Sequence, residues 1–189
     1  LDAIVNRQIG EFVLDQAMGG STAAMVYRAF QPTLSRYVAL KVIQFPGSSF
    51  TDDARLFERR FTQEAEVLTS LEHPHIVPIY HYGVVATECT YIAMRLMHGS
   101  LQQRLQEAPL PAERVIDIAL QLIDGLNYAH KKGVIHHDIK PANILFDEAG
   151  SACLTDFGLS NVTQLSLDTH EIDTVVKTAM YAAPEKIRN

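Results

Sequence analysis

Residues 133–146 read GVIHHDIKPANILF and form the most informative segment of the chain. Asp138, Lys140 and Asn143 stand close together here, between two apolar runs. A segment that only connects two elements seldom needs so many titratable and amide groups. A carboxylate can accept a proton from a hydroxyl group, and an amide oxygen can bind a hard cation. The segment is therefore the first candidate for a functional site.

The composition is that of a folded globular protein. The chain has 189 residues, of which 47% are hydrophobic and 20% charged, enough for one large domain or two small lobes. A formal net charge of −6 argues against a nucleic-acid-binding protein. We find no membrane segment, and two distant cysteines, Cys89 and Cys153, favour a cytoplasmic protein or the cytosolic part of a longer membrane-anchored one.

The order of the predicted elements indicates an α+β chain with two unlike lobes, because strands come first and helices later. Residues 161–180 are polar and rich in Thr, which predicts a long functional loop. Apolar periodicity predicts strands within 9–45 and 76–98, helices over 53–71 and 111–132, and a hairpin that turns at 147–150.

Two charged residues occupy positions where the pattern expects apolar side chains. Lys41 shares a strand face with Ala39, and Glu64 follows Phe61 by three residues in the apolar stripe of a helix. A carboxylate on a buried face needs a partner, so we expect an ion pair between Lys41 and Glu64. The alternative is that Lys41 extends to solvent from a sheet edge and Glu64 lies at the rim of the stripe.

Asn143 and Asp156 form a candidate metal site. They are oxygen ligands on adjacent segments, and such ligands suit a Mg²⁺ ion that bridges phosphates. Asp138 is then available as a general base. Turn formation is the alternative role for these Asp and Asn residues. The His136–His137 pair could indicate zinc, but no further His or Cys stands nearby at ligand spacing.

Together these residues resemble the motifs of protein kinases. VALK at 38–41 and HHDIKPAN at 136–143 are followed by DFG at 156–158 and APE at 183–185. The Lys at position 140, two residues after Asp138, resembles the pattern of the serine/threonine kinases. The surrounding sequence resembles the bacterial branch of the eukaryotic-like family. The resemblance implies a two-lobed fold, with a complete β-rich N-lobe over 1–94 and an incomplete helical C-lobe over 95–189.

The resemblance also implies a reaction, the transfer of the ATP γ-phosphoryl group to a Ser or Thr of a protein substrate. Positioning and charge neutralisation would supply most of the catalysis. The implied catalytic roles are phosphate binding by Lys41, paired with Glu64; proton acceptance by Asp138; charge compensation by Lys140; and binding of Mg²⁺ or Mn²⁺ by Asn143 and Asp156.

The implied nucleotide site extends over further residues of the same family pattern. His136 and Phe157 would belong to an internal apolar stack. The implied nucleotide contacts are Gly19, Gly20 and Ser21 at the phosphates; Val26, Ala39 and Leu145 around the adenine ring; Met94 as the gatekeeper; and the backbone of Arg95, Leu96 and Met97 at the adenine edge.

Three features depart from the family pattern. Ser21 and Ala24 replace two glycines of the phosphate loop, which predicts weakened ATP binding. His137 replaces an Arg, so we expect activity to depend little on phosphorylation of the activation loop. The chain stops four residues after Glu185, and the helix over 111–132 is apolar on two sides, which predicts a truncated domain.

Two functions from different classes therefore stay open at this point. The first is a protein serine/threonine kinase catalytic region. The second is a pseudokinase or truncated nucleotide-binding scaffold without efficient catalysis, which the altered glycine loop favours. A small-molecule kinase is disfavoured, because the segment from DFG to APE borders a protein-substrate platform in the family that the chain resembles.

Overall fold

The computed structural model divides into two compact units. The described part of the first unit lies within 7–71 and 78–96, and that of the second within 72–77 and 97–157, with Tyr181. The chain passes from the first unit to the second between Leu96 and Met97, two residues after the predicted boundary. The sequence did not predict that residues 72–77 would belong to the second unit. The structure describes residues 7–20, 24–44, 52–85, 89–157 and 181.

An antiparallel sheet of six strands dominates the first unit. The strands occur in the order β1-β2-β3-β4-β6-β5, and the predicted strands of this region are confirmed. Their bounds are β1 Gln8–Ile9, β2 Phe12–Gly20, β3 Ala24–Gln31, β4 Arg36–Gln44, β5 Ile79–Val85 and β6 Cys89–Arg95.

Strand β4 is central and buried on both faces from Val38 to Ile43. Leu40 on one face belongs to an apolar cluster with Phe12 and Tyr91. A strand that is covered on both faces is expected to read as a nearly continuous apolar run, as β4 does. The one charged residue inside this run is Lys41, which makes its position unusual.

Helix α1, Asp52–Thr69, packs against β5 and β6. Phe57, Phe61, Ala65 and Leu68 are buried at helical spacing, which confirms the predicted apolar stripe. The ring of Phe61 meets that of Tyr82 on β5 edge to face, with the centroids 6.3 Å apart. The α1 backbone is thereby fixed on the sheet, and Glu64 is carried on the same helix.

Among its described residues, the second unit contains two α-helices and the predicted hairpin. Helix α2, Leu101–Glu107, was not predicted, because it is short and buries no residue; its one sequence signal is the capping box of Ser100 and Gln103. Within the described ranges, no helix is long and apolar enough to cross a lipid bilayer. The remaining elements are α3 Ala112–Lys131, β7 Ile144–Phe146 and β8 Ala152–Leu154.

Thr90 is a polar residue in an apolar setting. It stands on β6 opposite Ile43 and Val84 and is fully buried. Its Oγ1 atom has no hydrogen-bond partner in the part of the chain that the structure describes. A buried hydroxyl without a partner destabilises the folded state, because it gives up its hydrogen bonds to water.

We therefore expect Thr90→Val to stabilise the first unit. Valine has the same branched shape without the hydroxyl, so the free energy of unfolding should rise by about 1 kcal/mol. Urea denaturation followed by circular dichroism measures the change. Thr90→Ser is the matched control; it keeps the hydroxyl, loses a methyl group and should be destabilised. A Thr90→Val protein less stable than wild type would show that the hydroxyl has an undetected partner.

Helix α3 is apolar on two sides, as predicted. Ile118 and Ala129 are buried on one side, whereas Ile116, Leu120 and Ile123 are 59–61% exposed. These three exposed residues follow each other at spacings of four and three, so they form one continuous stripe. Apolar stripes of this size on a surface favour association.

We expect this 189-residue chain to self-associate through the exposed stripe of α3. Leu120→Glu combined with Ile123→Lys should lower binding of an apolar-sensing dye and reduce light scattering, while the melting temperature stays close to that of wild type. Ile118→Glu, on the buried side, is the contrast and should unfold the helix. A monodisperse wild type without dye binding would contradict the expectation.

Candidate active site

The end of α3 directs the chain into the candidate catalytic loop. Gly133 has a φ of +77°, the left-handed conformation that glycine adopts easily. The Val134 amide donates to the Ala129 carbonyl at 2.9 Å, and the Gly133 amide donates to that of His130. These bonds form the helix terminus that the glycine predicts, and residues 134–140 continue from there without regular structure.

Asp138 is the centre of a hydrogen-bonded cluster. The Lys140 Nζ atom lies 2.7 Å from Asp138 Oδ2. The Asn143 Nδ2 atom donates both to Asp138 Oδ2, at 3.0 Å, and to the Asp138 main-chain carbonyl, at 2.8 Å. The structure thus brings together three of the predicted site residues. Two donors hold one carboxylate oxygen, which fixes the orientation of the other.

His136 supports this loop from the buried side. Its side chain is almost fully buried, and its ring centroid lies 4.4 Å from that of Phe157. The Nδ1 atom accepts a hydrogen bond from the Asp138 amide at 3.3 Å. Burial lowers the pKa of His136, which keeps the imidazole neutral and able to accept this bond.

Two residues next to this cluster have a positive φ angle, a backbone conformation that residues other than glycine rarely adopt. His137 has a φ of +66° and Asp156 a φ of +65°. Such conformations cost free energy, and they persist where the surrounding structure imposes them, often at functional sites. Their occurrence on both segments of the candidate site supports a functional interpretation.

Asn143 and Asp156 fit the predicted metal site by the chemistry of their donor atoms. The Thr155 amide donates to the Asn143 carbonyl at 3.0 Å, so the two segments are joined directly before Asp156. Because the Asn143 Nδ2 atom donates to Asp138, the atom that Asn143 offers to a ligand is Oδ1. An amide oxygen and a carboxylate suit a hard divalent cation. Within the described ranges no cluster of His, Cys, Asp or Glu suits a zinc ion.

Lys41 is buried on β4, with 9% of its surface exposed. Its Cα pairs with that of Val26 on β3 and that of Ile92 on β6. Ala39, on the same face of β4, pairs with Met94. The sheet therefore brings together Lys41, Val26, Ala39 and Met94 in the first unit.

Glu64 lies half-buried on α1. Its Oε2 atom is buried and has no hydrogen-bond partner among the described residues. Burial raises the pKa of Glu64, and the nearby Arg60 partly opposes this effect. A carboxylate in this setting is stabilised by a cation that approaches it. The predicted pair with Lys41 stays a prediction.

The segment after β6 contains the remaining predicted nucleotide contacts. Arg95 is exposed, and its amide donates to the Pro78 carbonyl at 3.0 Å; Leu96 is half-buried and Met97 buried. In the second unit, a bridge between Ser100 and Leu145 aligns β7 with the residues that precede α2. Leu145 is half-buried there.

The phosphate loop is described only at its margins. Gly20 has a φ of +143°, and a Cβ atom there would collide with the Ala24 carbonyl oxygen, so this position requires glycine. Gly19 has the same φ and has space around it. Ser21 lies outside the described residues, as do the predicted activation loop over 161–180 and the APE motif.

Comparisons with known proteins show which chains this one resembles. The family model of the protein kinase domain matches residues 12–189. Serine/threonine-protein kinase PrkC of Bacillus subtilis is 34% identical over 98% of this chain and 28% of its own length. Serine/threonine-protein kinase PknH of Mycobacterium bovis is 34% identical over 100% of this chain and 31% of its own length. The chain thus spans about a third of these relatives or less.

A solved structure is similar as well. The PknI kinase domain of Mycobacterium tuberculosis, crystallised as a mutant, superposes with a TM-score of 0.69 at 30% identity. The match covers 82% of this chain and 62% of that chain. The fold of the two units is therefore that of a protein kinase, and the predicted α+β class and kinase-like architecture are confirmed.

The raised pKa of Glu64 predicts opposite effects of Glu64→Gln on stability and on activity. Between the ordinary value of 4.5 and the raised value, the folded protein binds more protons than the unfolded chain. Stability is therefore lost as the pH rises through this range. Glu64→Gln should match wild type in melting temperature at pH 4 and exceed it at pH 8, yet lower phosphoryl transfer if Glu64 positions Lys41.

Thermal scans at both pH values and an activity assay at pH 8 measure these effects. Glu66→Gln, at an exposed position of the same helix, is the matched control and should change neither property. Equal melting temperatures of wild type and Glu64→Gln at pH 8 would contradict the role of burial.

Proposed function

This chain belongs to the protein kinase domain family, and on that premise we propose that it transfers the ATP γ-phosphoryl group to Ser or Thr residues of a protein substrate. The observation that carries the proposal is the convergence of Lys140 and Asn143 on the carboxylate of Asp138. The names of the relatives, both serine/threonine-protein kinases, support the choice of acceptor.

Asp138 is the proposed general base. Its Oδ2 atom accepts hydrogen bonds from Lys140 and Asn143, which leaves Oδ1 to accept the proton of the attacking hydroxyl. Because two donors and the His136 contact fix the loop, the carboxylate needs little reorganisation before the reaction. Orientation of the hydroxyl toward the phosphorus atom is its main contribution.

Lys140 is the proposed source of positive charge near the transferring group. Its ammonium lies 2.7 Å from Asp138 and is partly buried, with 25% of the side chain exposed. In a partly buried setting, a cation reduces the repulsion between the carboxylate and the negative phosphoryl oxygens. An amine at this position therefore serves both the base and the phosphate.

Asn143 Oδ1 and the Asp156 carboxylate are the proposed ligands of a divalent cation, Mg²⁺ or Mn²⁺. The cation would neutralise phosphate charge and orient the leaving group. The Asn143 side chain is held by its bonds to Asp138, and the backbone directly before Asp156 is held by the bond from the Thr155 amide to the Asn143 carbonyl. We further propose that Lys41 binds the ATP phosphates, with Glu64 as its partner.

The proposed adenine contacts are apolar side chains and main-chain groups. Val26, Ala39 and Leu145 would contact the ring, with Met94 behind it. The Arg95 amide already donates to Pro78, so its carbonyl is the group that it can offer to adenine. Leu96 and Met97 would offer their amides, and Gly19, Gly20 and Ser21 would lie near the phosphates.

We propose a cytoplasmic setting, supported by the thiols of Cys89 and Cys153, which are buried and form no disulfide. The relatives reported above are named as kinases, which supports the enzyme over the alternative of an inefficient scaffold; the altered glycine loop is the feature that favours that alternative. The weakened phosphate loop and the reduced role of loop phosphorylation through His137 remain predictions. His137 is exposed and lacks the fork of an Arg.

Two substitutions separate nucleotide binding from catalysis. Asp156→Ala should abolish most of the rise in melting temperature that ATP with Mg²⁺ gives, because it removes a metal ligand. Asp138→Asn should keep that rise but lower the rate constant by about 10²- to 10⁴-fold, because a base acts mainly in the transition state. Thermal scans measure the rise in melting temperature, and a phosphoryl-transfer assay measures the rate constant, both with the protein as its gene encodes it.

Asp117→Asn, at an exposed position of α3, is the matched control for the loss of one negative charge. Undiminished turnover of Asp138→Asn would remove the general-base assignment. An unchanged ATP and Mg²⁺ shift in Asp156→Ala would remove the metal assignment. A wild type that binds ATP with Mg²⁺ but transfers no phosphoryl group to any protein would favour a scaffold.

A further inference from the structure

Residues 72–77 form an additional strand-like segment beside β8 in the second unit. The Val77 amide donates to the Leu154 carbonyl at 2.8 Å, and the Leu154 amide donates to the His75 carbonyl at 2.9 Å. Leu154 is the last residue of β8 and precedes Asp156 by two residues. The segment therefore holds the backbone that carries the candidate metal ligand.

The side chain of His75 strengthens this contact. Its Nδ1 atom lies 2.9 Å from the main-chain oxygen of Ala152, at the start of β8. A carbonyl oxygen can only accept a hydrogen bond, so the Nδ1 atom of His75 must carry a hydrogen. This requirement is met both by the neutral ring with hydrogen on Nδ1 and by the protonated ring.

His73 has the opposite requirement. Its Nδ1 atom lies 3.1 Å from the His75 amide nitrogen, which can only donate. The Nδ1 atom of His73 must therefore be free of hydrogen, and the ring must be neutral with its hydrogen on Nε2. That Nε2 atom lies 3.4 Å from Asp124 Oδ2 on α3. The two histidines thus need different tautomers, although they stand two residues apart.

Protonation affects the two rings differently for this reason. A proton added to His73 goes to Nδ1, where it faces the amide hydrogen of His75, and the bond between them is lost. A proton added to His75 goes to Nε2 and leaves its bond to Ala152 in place. Imidazole side chains change charge between about pH 8 and pH 5. Of the two rings, His73 is therefore the one that loses a hydrogen bond of this segment when a proton is added.

Charged groups around His73 come from α3, from Lys132 directly after it, and from Glu72 on the segment itself. Asp124 on α3 favours the protonated ring, but its side chain is 67% exposed, so solvent screens the attraction. Lys132 disfavours it; its Nζ atom lies 5.2 Å from the Tyr128 ring centroid, and the Tyr128 and His73 rings are 5.0 Å apart. Among the described residues, the other titratable groups beside His73 are Tyr128 itself and His75, whose ring centroid lies 5.7 Å from that of His73.

Helix α3 holds the segment at two further points. The Tyr128 hydroxyl accepts a hydrogen bond from the Glu72 amide at 3.2 Å. A Cβ atom at Gly125 would lie 3.0 Å from the His75 carbonyl oxygen, so the helix approaches the segment closely there. The segment is fixed at Glu72 and at His75, and the bond from the His75 amide to His73 closes the turn between them.

We propose that His73 is an acid-sensitive positioning residue for Asp156. Neutral His73 holds the His75 amide, His75 holds β8, and β8 places Asp156 for the divalent cation. Protonation of His73 releases the turn and weakens binding of the cation with ATP. The inference deepens the proposed function and rests on it, because it concerns the same metal ligand.

His73→Asn tests the proposal, because the side-chain oxygen of asparagine can accept the same amide two residues later and does not titrate. Calorimetry at pH 8 and pH 6 measures the dissociation constant of an ATP analogue with Mg²⁺. In wild type the dissociation constant should be about fivefold higher at pH 6 than at pH 8, a loss of binding free energy that corresponds to one hydrogen bond. In His73→Asn it should change much less. His130→Asn, an exposed histidine of α3, is the matched control and should follow wild type.

A second measurement does not depend on nucleotide binding. Nitrogen-15 chemical shifts of the imidazoles should show hydrogen on Nε2 of His73 and on Nδ1 of His75 at pH 8. Exchange protection of the His75 amide, relative to its intrinsic rate, should fall at pH 6 in wild type and persist in His73→Asn. Hydrogen on Nδ1 of His73 at pH 8, or equal loss of protection in both proteins, would overturn the proposal.

The two measurements separate this proposal from the proposed function. Absence of nucleotide binding by wild type at both pH values would count against the kinase assignment and against the part of this proposal that concerns the cation. Equal weakening at pH 6 in wild type and His73→Asn, with binding present at pH 8, would overturn the role of His73 and leave the proposed function intact.

Discussion

The bond between Lys140 and Asp138 is the interaction on which the candidate site depends. A carboxylate at the end of a loop has several rotamers, and it becomes a directed base only when other groups restrict it. Lys140 and the Asn143 amide bind one oxygen, and His136 binds the main chain from the buried side. The same contacts orient Asn143, so the proposed base and the proposed metal ligand are fixed together.

Three buried polar atoms lack hydrogen-bond partners in the described part of the chain: Thr90 Oγ1, Glu64 Oε2 and His136 Nε2. The physical deficit is the same, since each atom has lost water without gaining a partner. The contexts differ. Thr90 lies within the sheet and is not one of the predicted site residues. Glu64 and His136 belong to the predicted site and can gain partners when ligands bind or segments move, so their deficit is compatible with function.

Much of the fold follows from local patterns. The buried run of β4, the apolar stripe of α1 and the glycine after α3 each give an element with its approximate ends, because apolar burial and capping act over a few residues. Helix α2 was missed since it buries nothing and has only a capping signal. The placement of 72–77 beside β8 was not predicted, because a short polar turn has no hydrophobic periodicity that would indicate which strand it packs against.

The sequence by itself determined the family, the elements and the chemical groups of the site, because motifs are local and their order along the chain is readable. Only the tertiary structure decided which atoms meet: that Asn143 uses its amide hydrogens on Asp138, that His73 and His75 need opposite tautomers, and that Glu64 is left with a buried oxygen. Hydrogen bonding depends on distance and direction between atoms far apart in the chain. Residue type alone fixes neither.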